Sequence, residues 1–411
     1  MSVDNLTADL LALCRIGGRL AGTPGETAAR EYLTARLAEC TKNVYFHEFS
    51  FSGRIPVDSE VSIVEPSPAA VPSIGLVNAP ATPTGGLTAA LVDLGRGAPA
   101  DLERAPDLTG KAALVRHEYM FTSGTVHRRL KYQMLKERGA TAMLVANCHP
   151  GLGPVAGGVG IGADDDMPAV GIDWESGERL RDLCATSTPI VRIRTTVEHR
   201  QWQPGNVLAD IPGQTEEMIV VCAHYDGHPI AHSAIDNASG VIGVLETCRR
   251  LAPIAASLRR GIRVALFTVE EWGLQGSRRY LQDLDPRERQ RITAAINLDS
   301  IVGHPRLCAL TGGDESMEKL LRHVSITTGP VIRPVRVHAR NSDHYNFAAE
   351  GIPAMRLIAG YDYPDSQTRF VLTSADRMDL VDIDQLQHAA TAALRLVRAA
   401  CEVEAWGQWG R

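Results

Sequence analysis

The pattern of hydrophobic positions changes near residue 204 of the chain. From about Asn206 onward, uninterrupted apolar runs alternate with segments that repeat apolar residues at helical spacing. The predicted strands are MIVVCAH, IRVALFTV, TAAINLD and IPAMRLI, and the predicted helices are ASGVIGVLETCRRLA, GSRRYLQDL, SMEKLLRHVSITTG and DIDQLQHAATAALRLVRAAC. Strands that are apolar along their whole length are buried on both faces, so we predict an α/β fold. Its sheet is mostly parallel (mixed) and covered by helices on both faces.

The segment before residue 204 has a different pattern of hydrophobic and turn-forming residues. Between about Ser52 and Gln203, short β-branched runs alternate with Gly- and Pro-rich turns around one helix-like stretch, RRLKYQMLKERGA. No histidines or paired carboxylates stand at metal-ligand spacing there, and the Gly-rich stretch PVAGGVGIGADDD is interpreted as a flexible loop. The length of 411 residues favours at least two domains. We predict one domain from residues 1–51 and 204–411, with a β-rich domain inserted at 52–203.

Composition and charge narrow the range of partners. With 44% hydrophobic and 22% charged residues, the chain is typical of a globular protein. The net charge of -6 gives no reason to expect nucleic acid or an anionic membrane as a partner. The first twenty residues lack the pattern of a signal peptide, and the eight scattered cysteines are interpreted as buried free thiols. A cytoplasmic location is therefore expected.

Polar side chains of one chemical type follow the predicted strands. MIVVCA ends in His224, the loop beyond it reaches Asp236, IRVALFTV ends in Glu270-Glu271, and TAAINL ends in Asp299. Taken singly, such a residue is more often a helix cap or part of a solvated turn than a ligand. Ligand sites of parallel sheets lie at the carboxyl ends of the strands, however, and these residues converge there. Their nitrogen and oxygen donors suit a divalent metal such as zinc.

The same residues carry a resemblance to a known family. The ordered motifs AHYDG, SAIDNASGVIGVLE, FTVEEWGLQGSRRY, INLDSIVG and SDHYNFAAEGIPAM resemble the zinc aminopeptidases that include bacterial leucyl aminopeptidases and glutamate carboxypeptidase. The resemblance implies a phosphorylase/hydrolase-like fold, and residues 52–203 resemble the protease-associated domain that is inserted into it. It also implies hydrolysis of amide or peptide bonds with one or two zinc ions per chain.

The resemblance further implies roles for individual residues. Asp236 would bridge two metals, His224 and Asp299 would complete one metal site, and Glu271 would serve the other. Glu270 would be the general base for metal-bound water.

Two more expectations concern neighbouring groups. Asp226 would hold the imidazole of His224 by a hydrogen bond. The Asp236–Asn237 peptide bond is a candidate for the rare cis form in this family.

One position departs from the family pattern. Where the family has its last histidine ligand, this chain has Leu372, and leucine does not bind metal. One explanation is a substitute histidine. The candidates are His228 and His232 in the loop HYDGHPIAHSAID and His344 in the stretch SDHYNF. Each of them also fits the role of a substrate contact or of a structural loop residue. A single tightly bound metal is the second explanation, and loss of peptidase activity is the third.

Three functions therefore stand as hypotheses. The leading one is a metal-dependent aminopeptidase that acts on a peptide or small amide substrate. The alternatives are a specialised mononuclear amidohydrolase or cyclase for a small metabolite, and a non-catalytic binding or dimerisation protein. A homo-oligomer is compatible with each of them.

Overall fold

A computed structural model of the protein describes residues 3–161, 166–329 and 331–407. The strands in these residues are β1 Val44–Glu48, β2 Phe51–Glu65, β3 Ala69–Val71, β4 Ser73–Gly75, β5 Leu87–Asp93, β6 Ala112–Arg116, β7 Ala142–Ala146, β8 Ala169–Ile172, β9 Ile190–Trp202, β10 Gly205–Ile211, β11 Met218–His224, β12 Gly261–Phe267, β13 Ile292–Leu298, β14 Leu307–Leu310, β15 Arg333–Val335 and β16 Ala354–Ala359.

The helices are α1 Val3–Ile16, α2 Pro24–Ala38, α3 Pro99–Glu103, α4 Arg128–Glu137, α5 Trp174–Thr186, α6 Ser239–Leu251, α7 Gln275–Asp283, α8 Pro286–Arg291, α9 Glu315–Thr328, α10 His344–Ala349 and α11 Ile383–Glu402. Short helical segments of three to six residues occur at Ala234–Ala238, Ala252–Ser257, Gln367–Phe370 and Met378–Leu380. No helix in the described part of the chain is long and apolar enough to span a membrane.

The chain divides into two compact units. The first unit comprises Met1–Ser50, Gln203–Val371 and Asp376–Arg411, and the second comprises Phe51–Trp202 and Leu372–Ala375. The division near residues 50 and 203 lies beside the bounds predicted for the inserted domain. The short segment 372–375, which was predicted to belong to the first domain, groups with the second unit.

The first unit is built on an eight-stranded mixed sheet in the order β1-β10-β12-β11-β13-β16-β14-β15. The four strands β12, β11, β13 and β16 run parallel at its centre. Every residue of β11 and β12 is buried, because both faces of these strands are covered. The predicted α/β class is therefore confirmed, and β1, β10 and β14 supply the antiparallel pairs that make the sheet mixed.

The ends of these strands meet at one edge of the sheet. Cys222 of β11 lies beside Asn297 of β13, and His224 lies beside Phe267 of β12. The residues that follow the three strands therefore emerge next to one another. The buried helix α6 covers one face, where it packs against β11 and α11.

The second unit contains more than the predicted β-rich structure. Its eight strands follow the order β3-β2-β9-β5-β6-β7-β8-β4, in which the long strands β2 and β9 form an antiparallel pair. Strands β5 to β8 are parallel neighbours, α3 and α4 lie on the connections between β5 and β7, and α5 connects β8 to β9. A prediction from short runs missed this α/β portion, because each parallel strand has only four to seven residues. Residues 162–165 of the predicted flexible loop lie outside the described residues.

The eight cysteines are all free thiols in the structure, as predicted. Five of them are buried: Cys14, Cys222, Cys248, Cys308 and Cys401. The other three, Cys40, Cys148 and Cys184, are half-buried, so burial was predicted for too many of them.

Candidate metal centre

Three side chains from neighbouring segments meet at the carboxyl edge of the first unit's sheet. His224 is the last residue of β11, Asp299 follows β13, and Asp236 lies in the turn before α6. The Nε2 atom of His224 lies 3.0 Å from Oδ1 of Asp236 and 3.8 Å from Oδ1 of Asp299. One donor atom from each residue lies within 4.8 Å of the other two. The structure thus brings together three of the predicted metal ligands.

The electrostatics of this group favour a positive charge between the side chains. Burial opposes protonation of His224, but the charge of Glu270 and hydrogen bonds to surrounding aspartates raise the pKa of its imidazole well above the usual value. Buried carboxylates that lie this close repel one another, and a cation between them removes that repulsion. One imidazole nitrogen and two carboxylate oxygens are also donors that zinc prefers. The residues present therefore fit a divalent metal ion.

Asp299 is fixed by two partners that were not predicted from the sequence, Arg356 and Ser342. The Nη2 atom of Arg356, a residue of β16 that is 1% exposed, lies 3.1 Å from Oδ1 of Asp299. The hydroxyl of Ser342 donates a hydrogen bond to Oδ2 of the same carboxylate. Burial acts to raise the pKa of Asp299, but Arg356, His224 and Ser342 outweigh it and hold that pKa below its ordinary value. The available signal for Arg356 was a charged residue within the apolar run IPAMRLI.

The carboxylate of Asp376 stabilises the turn that carries Asp236. The peptide bond between Asp236 and Asn237 is cis, as the resemblance implied. Asp376 accepts hydrogen bonds from the backbone N–H of Ile235 at 2.7 Å and of Asp236 at 3.2 Å. Burial raises the pKa of Asp376 to about 7. Asp376 was not predicted as a site residue, although it lies in the segment whose ligand position is occupied by Leu372.

Asn237 ties the same turn to the neighbouring strand. Its amide nitrogen donates to the carbonyl oxygen of Leu298 at 2.9 Å, and its side-chain oxygen accepts from the N–H of Gly240 at 3.0 Å. A Cβ atom added at Gly240 would lie only 2.1 Å from that carbonyl oxygen of Leu298, so the close approach requires glycine. The turn and the end of β13 therefore form one fixed unit under the two aspartates.

The two glutamates follow β12 on a strained loop. Val269 has a φ of 57°, which is costly for a β-branched residue. The backbone N–H groups of Glu270 and Glu271 donate to the carboxylate of Asp226 at 3.2 and 3.3 Å. Both glutamates are buried, with 4% and 6% exposure. The loop thus directs two successive carboxylates into the same region of the first unit.

Asp226 therefore has a broader task than the one predicted for it. Nδ1 of His224 lies 3.1 Å from the backbone oxygen of Asp226 and 3.5 Å from its carboxylate Oδ1. The Asp226 carboxylate lies beside the imidazole of His224 and also accepts hydrogen bonds from the backbone N–H groups of Glu270 and Glu271. Asp226 connects the end of β11 to the residues after β12.

The three candidate substitute histidines lie in different surroundings. Nε2 of His228 lies 2.8 Å from Oε2 of Glu271, and the His228 side chain is buried. Nδ1 of His232 instead accepts a hydrogen bond from the N–H of Met378 at 3.2 Å. His344 is buried near the positive charge of Arg356, and burial together with that charge lowers the pKa of its imidazole to about 3. Only His228 contacts one of the predicted metal ligands.

Arg19 supports the loop between His224 and Asp236, and it was not predicted as a site residue. This fully buried guanidinium donates to the carbonyl oxygens of Tyr225, His232 and Ser233 at 3.0, 2.7 and 3.0 Å. Burial lowers the pKa of Arg19, although nearby carboxylates act against that shift. The signal in the sequence was a basic residue within the small and apolar run GGRLAG. Its donors hold the loop that joins His224 to Asp236.

Comparisons with known proteins agree with the fold and with the two units. Residues 206–397 match peptidase family M28, and residues 74–180 match the PA domain. The aminopeptidase YwaD of Bacillus subtilis is 25% identical over 413 residues, which cover 95% of this chain and 82% of that protein. The probable lipoprotein aminopeptidase LpqL of Mycobacterium tuberculosis is 28% identical over 328 residues, which cover 77% of this chain and 62% of that protein.

Solved structures of the same architecture cover nearly the whole chain. An aminopeptidase from Aneurinibacillus sp. strain AM-1 aligns with a TM-score of 0.74 and 25% identity, over 98% of this chain and 95% of that chain. A zinc aminopeptidase from Bacillus subtilis aligns with a TM-score of 0.77 and 23% identity, over 98% of this chain and 96% of that chain. The second likeness concerns the fold alone.

Proposed function

We propose that this chain, which belongs to peptidase family M28 and carries an inserted PA domain, is a zinc-dependent aminopeptidase. The observation that carries the proposal is the meeting of His224, Asp236 and Asp299 within 4.8 Å, with Glu270 on the neighbouring loop. The names of YwaD, LpqL and the Aneurinibacillus protein support it, since each of them is an aminopeptidase or a probable aminopeptidase. The substrate is a peptide with a free amino terminus.

The residues present account for the steps of peptide hydrolysis. His224, Asp236 and Asp299 would hold the zinc ion, which when bound supplies Lewis acidity that polarises the peptide carbonyl and favours ionisation of water. The Glu270 carboxylate takes a proton from the attacking water as its oxygen forms a bond to the carbonyl carbon. The same carboxyl group then gives that proton to the amine nitrogen as the C–N bond breaks.

The surrounding residues position these groups. Arg356 and Ser342 contact the carboxylate of Asp299. Asp376 accepts a hydrogen bond from the backbone N–H of Asp236, and Asp226 accepts one from the backbone N–H of Glu270. These contacts fix the carboxylate of Asp299 and the backbone that carries Asp236 and Glu270, which is what a preorganised site needs because misplacement by 1 Å is costly for catalysis.

A panel of substrates tests this function directly. We expect hydrolysis of peptides and aminoacyl amides with a free amino terminus, and no hydrolysis of their N-acetylated forms. Removal of metal with a chelator should abolish the activity, and added zinc should restore it. Activity that survives complete removal of metal would contradict the proposal, and inactivity of the zinc-loaded protein on the whole panel would favour a specialised amidohydrolase or a binding protein.

We also propose that the protein acts in the cytoplasm and assembles as a homo-oligomer. The eight free cysteines support a reducing compartment. Ile326 and Val331, which are 84% and 81% exposed, offer apolar surface for a second copy. The net charge of -6 gives nucleic acid and anionic membranes no electrostatic attraction as partners. Cell fractionation and sedimentation of the purified protein test the location and the assembly.

A further inference from the structure

A cleft of about 280 Å³ lies between α7 and α10 of the first unit. Basic, apolar, aromatic and amide side chains line it, among them Arg278 and Leu281 of α7, Tyr345 and Asn346 of α10, Glu350 at the end of α10, and Arg340 in the preceding loop. Arg278 is half-buried and Arg340 is exposed, so a ligand from solvent has access to both guanidinium groups. Two cations from separate elements thus share one cleft.

The positive charge of the cleft is not balanced by its own acid. Glu350 is the one acid among the described residues that line it, and the Glu350 carboxylate is paired with Arg289 of α8. Neither Arg278 nor Arg340 forms an ion pair with an acidic side chain in the described ranges 3–161, 166–329 and 331–407. Like charges that share a cleft repel each other, and an anion bound between them removes that repulsion. The charges therefore favour an anionic ligand.

The walls of the cleft are held in place by contacts of α10. The guanidinium carbon of Arg340 lies 5.6 Å from the centroid of the Tyr345 ring, which attracts the cation to the cleft. The side-chain nitrogen of Asn346 donates to the carbonyl oxygen of Leu274 at 2.9 Å and to the hydroxyl of Ser277 at 2.8 Å, so α10 is tied to the beginning of α7. A guanidinium group is planar and binds a carboxylate through two parallel hydrogen bonds. A carboxylate is thus the anion that this cleft suits.

The cleft adjoins two segments that contact the candidate metal centre. The N–H of Leu274 donates to the carbonyl oxygen of Glu270 at 2.8 Å, so one residue joins α10 to the loop of the general base. Arg340 stands two residues before Ser342, whose hydroxyl donates to Asp299, and two residues of chain span at most about 7 Å. A peptide substrate extends by about 3.3 Å with each residue, so a peptide of a few residues is long enough to reach from the centre to the cleft.

We propose that Arg278 and Arg340 bind a carboxylate group of the peptide substrate, and that the enzyme therefore prefers short peptides with a free carboxylate beyond the bond that it cleaves. The inference rests on the proposed function, because it takes a peptide cleaved at its amino terminus as the substrate. The carboxylate belongs either to the C-terminus of the peptide or to an acidic side chain, and the choice of peptides separates these two sources.

The test is the kcat/KM of matched peptides. We expect the wild type to prefer the free acid Leu-Ala-Ala over its C-terminal amide by about 10-fold, mainly through KM, because the amide offers no charge to the arginines. The double variant Arg278→Gln/Arg340→Gln should lose this preference and keep the wild-type kcat on the amide, which also shows that it folds. Arg279→Gln, at an exposed position of α7 that does not line the cleft, is the matched control and should keep the preference.

A second pair of peptides identifies the source of the carboxylate. A preference for Leu-Ala-Glu amide over Leu-Ala-Gln amide would assign the site to an acidic side chain, whereas a preference for the free acid alone would assign it to the C-terminus. Equal kcat/KM for the charged and uncharged member of both pairs would overturn the inference. So would a preference that persists in the double variant.

Binding to the metal-free protein distinguishes failure of this inference from failure of the proposed function. Calorimetric titration with N-acetyl-Leu-Ala-Ala and with its C-terminal amide requires no hydrolysis, and the absence of zinc prevents the carboxylate from binding to the metal. We expect the acid to bind about 10-fold more tightly than the amide to the wild type, and equally to the double variant. If the protein showed this preference but hydrolysed no peptide, the proposed function would fail and the carboxylate site would stand. Hydrolysis without any preference in binding or in kcat/KM would overturn the carboxylate site alone.

Discussion

The two units each place a buried histidine at the end of a parallel strand, and the pKa values of these histidines shift in opposite directions. His224 ends β11 in the first unit, and His117 follows β6 in the second. Surrounding carboxylates raise the pKa of His224 despite its burial. Burial lowers the pKa of His117, and the positive charges of Arg128 and Lys131 lower it further. The same architecture therefore creates opposite electrostatic environments.

The difference lies in how charges are compensated at the two sheet edges. In the second unit Arg116 lies 3.5 Å from Glu178, and Lys131 lies 2.6 Å from Glu118. In the described part of that unit no group of three potential ligands gathers as at His224. Convergence at a strand edge is thus a property of the fold, whereas a metal centre also needs acidic side chains without enough internal cations to balance them.

The largest expected effect distinguishes Glu270, at the sheet edge of the first unit, from Glu178, at the sheet edge of the second unit. Glu270→Gln should lower kcat by about 10²- to 10⁴-fold, because the amide cannot accept the proton from water. Zinc content should stay at the wild-type level. Glu178→Gln, at the sheet edge of the second unit, serves as the matched control and should leave kcat unchanged. Steady-state kinetics measure kcat for both variants. Equal losses of kcat in the two variants would contradict the conclusion that the sheet edges of the two units differ in chemistry.

The next effect concerns a cation of the first unit that binds carbonyl groups. Arg19→Met should lower the free energy of unfolding by about 3 kcal/mol, since several buried carbonyl oxygens lose their donor. Arg15→Met changes an exposed residue of α1 and should stay within about 0.5 kcal/mol of the wild type. Urea unfolding of the metal-free protein measures both. A small effect at Arg19 would mean that other groups satisfy the carbonyls of the loop.

A third effect tests whether the acid beneath the metal centre matters for metal affinity. Asp376→Ala removes the acceptor for the amides of Ile235 and Asp236. We expect zinc affinity to fall about 10- to 100-fold, as is usual when a partner that orients a ligand is lost. Competition with a chromophoric chelator measures this. The exposed Asp379 lies three residues further along, and Asp379→Ala should keep the wild-type affinity.

The smallest effect is the pH dependence of the second unit. His117 has a pKa below its unfolded value of about 6.5, so below that pH the unfolded state binds a proton that the folded state does not. The contribution of His117 to the free energy of unfolding is therefore fully present above pH 6.5. It falls as the pH drops below that value, with a limiting slope of about 1.4 kcal/mol per pH unit.

Hydrogen exchange of peptides from β6 and β7, corrected for the intrinsic rate, resolves this pH effect in the second unit alone. His117→Gln should make the decline shallower, whereas His199→Gln, at an exposed position of β9, should leave it as in the wild type. A decline that is the same in all three proteins would assign the pH dependence to other groups.

Much of the first unit was predictable because its strands are buried on both faces. Such strands appear as continuous apolar runs, and the polar residue that ends each run marks the sheet edge. His224, Glu270 and Asp299 were found in this way. Arg356 and Asp376 were missed, because each acts on a residue far away in the sequence.

The second unit was less predictable for a related reason. The parallel strands β5 to β8 are short, and the helices α3 and α4 that connect them have only five and ten residues. The β-branched runs and one helix-like stretch, which became α4, were evident, so a β-rich domain was expected where the structure also has an α/β part. Register and the order of strands depend on packing between segments that no local pattern encodes.

The sequence by itself determined the α/β class, the strand ends that carry potential ligands, and the departure at Leu372. These depend on local hydrophobic periodicity and on the chemistry of single residues. The tertiary structure decided that His228, rather than His232 or His344, faces Glu271, and that Arg19, Arg356 and Asp376 support the site. Those contacts join segments up to 214 residues apart, so they are set by how the chain packs and not by the spacing of residues along it.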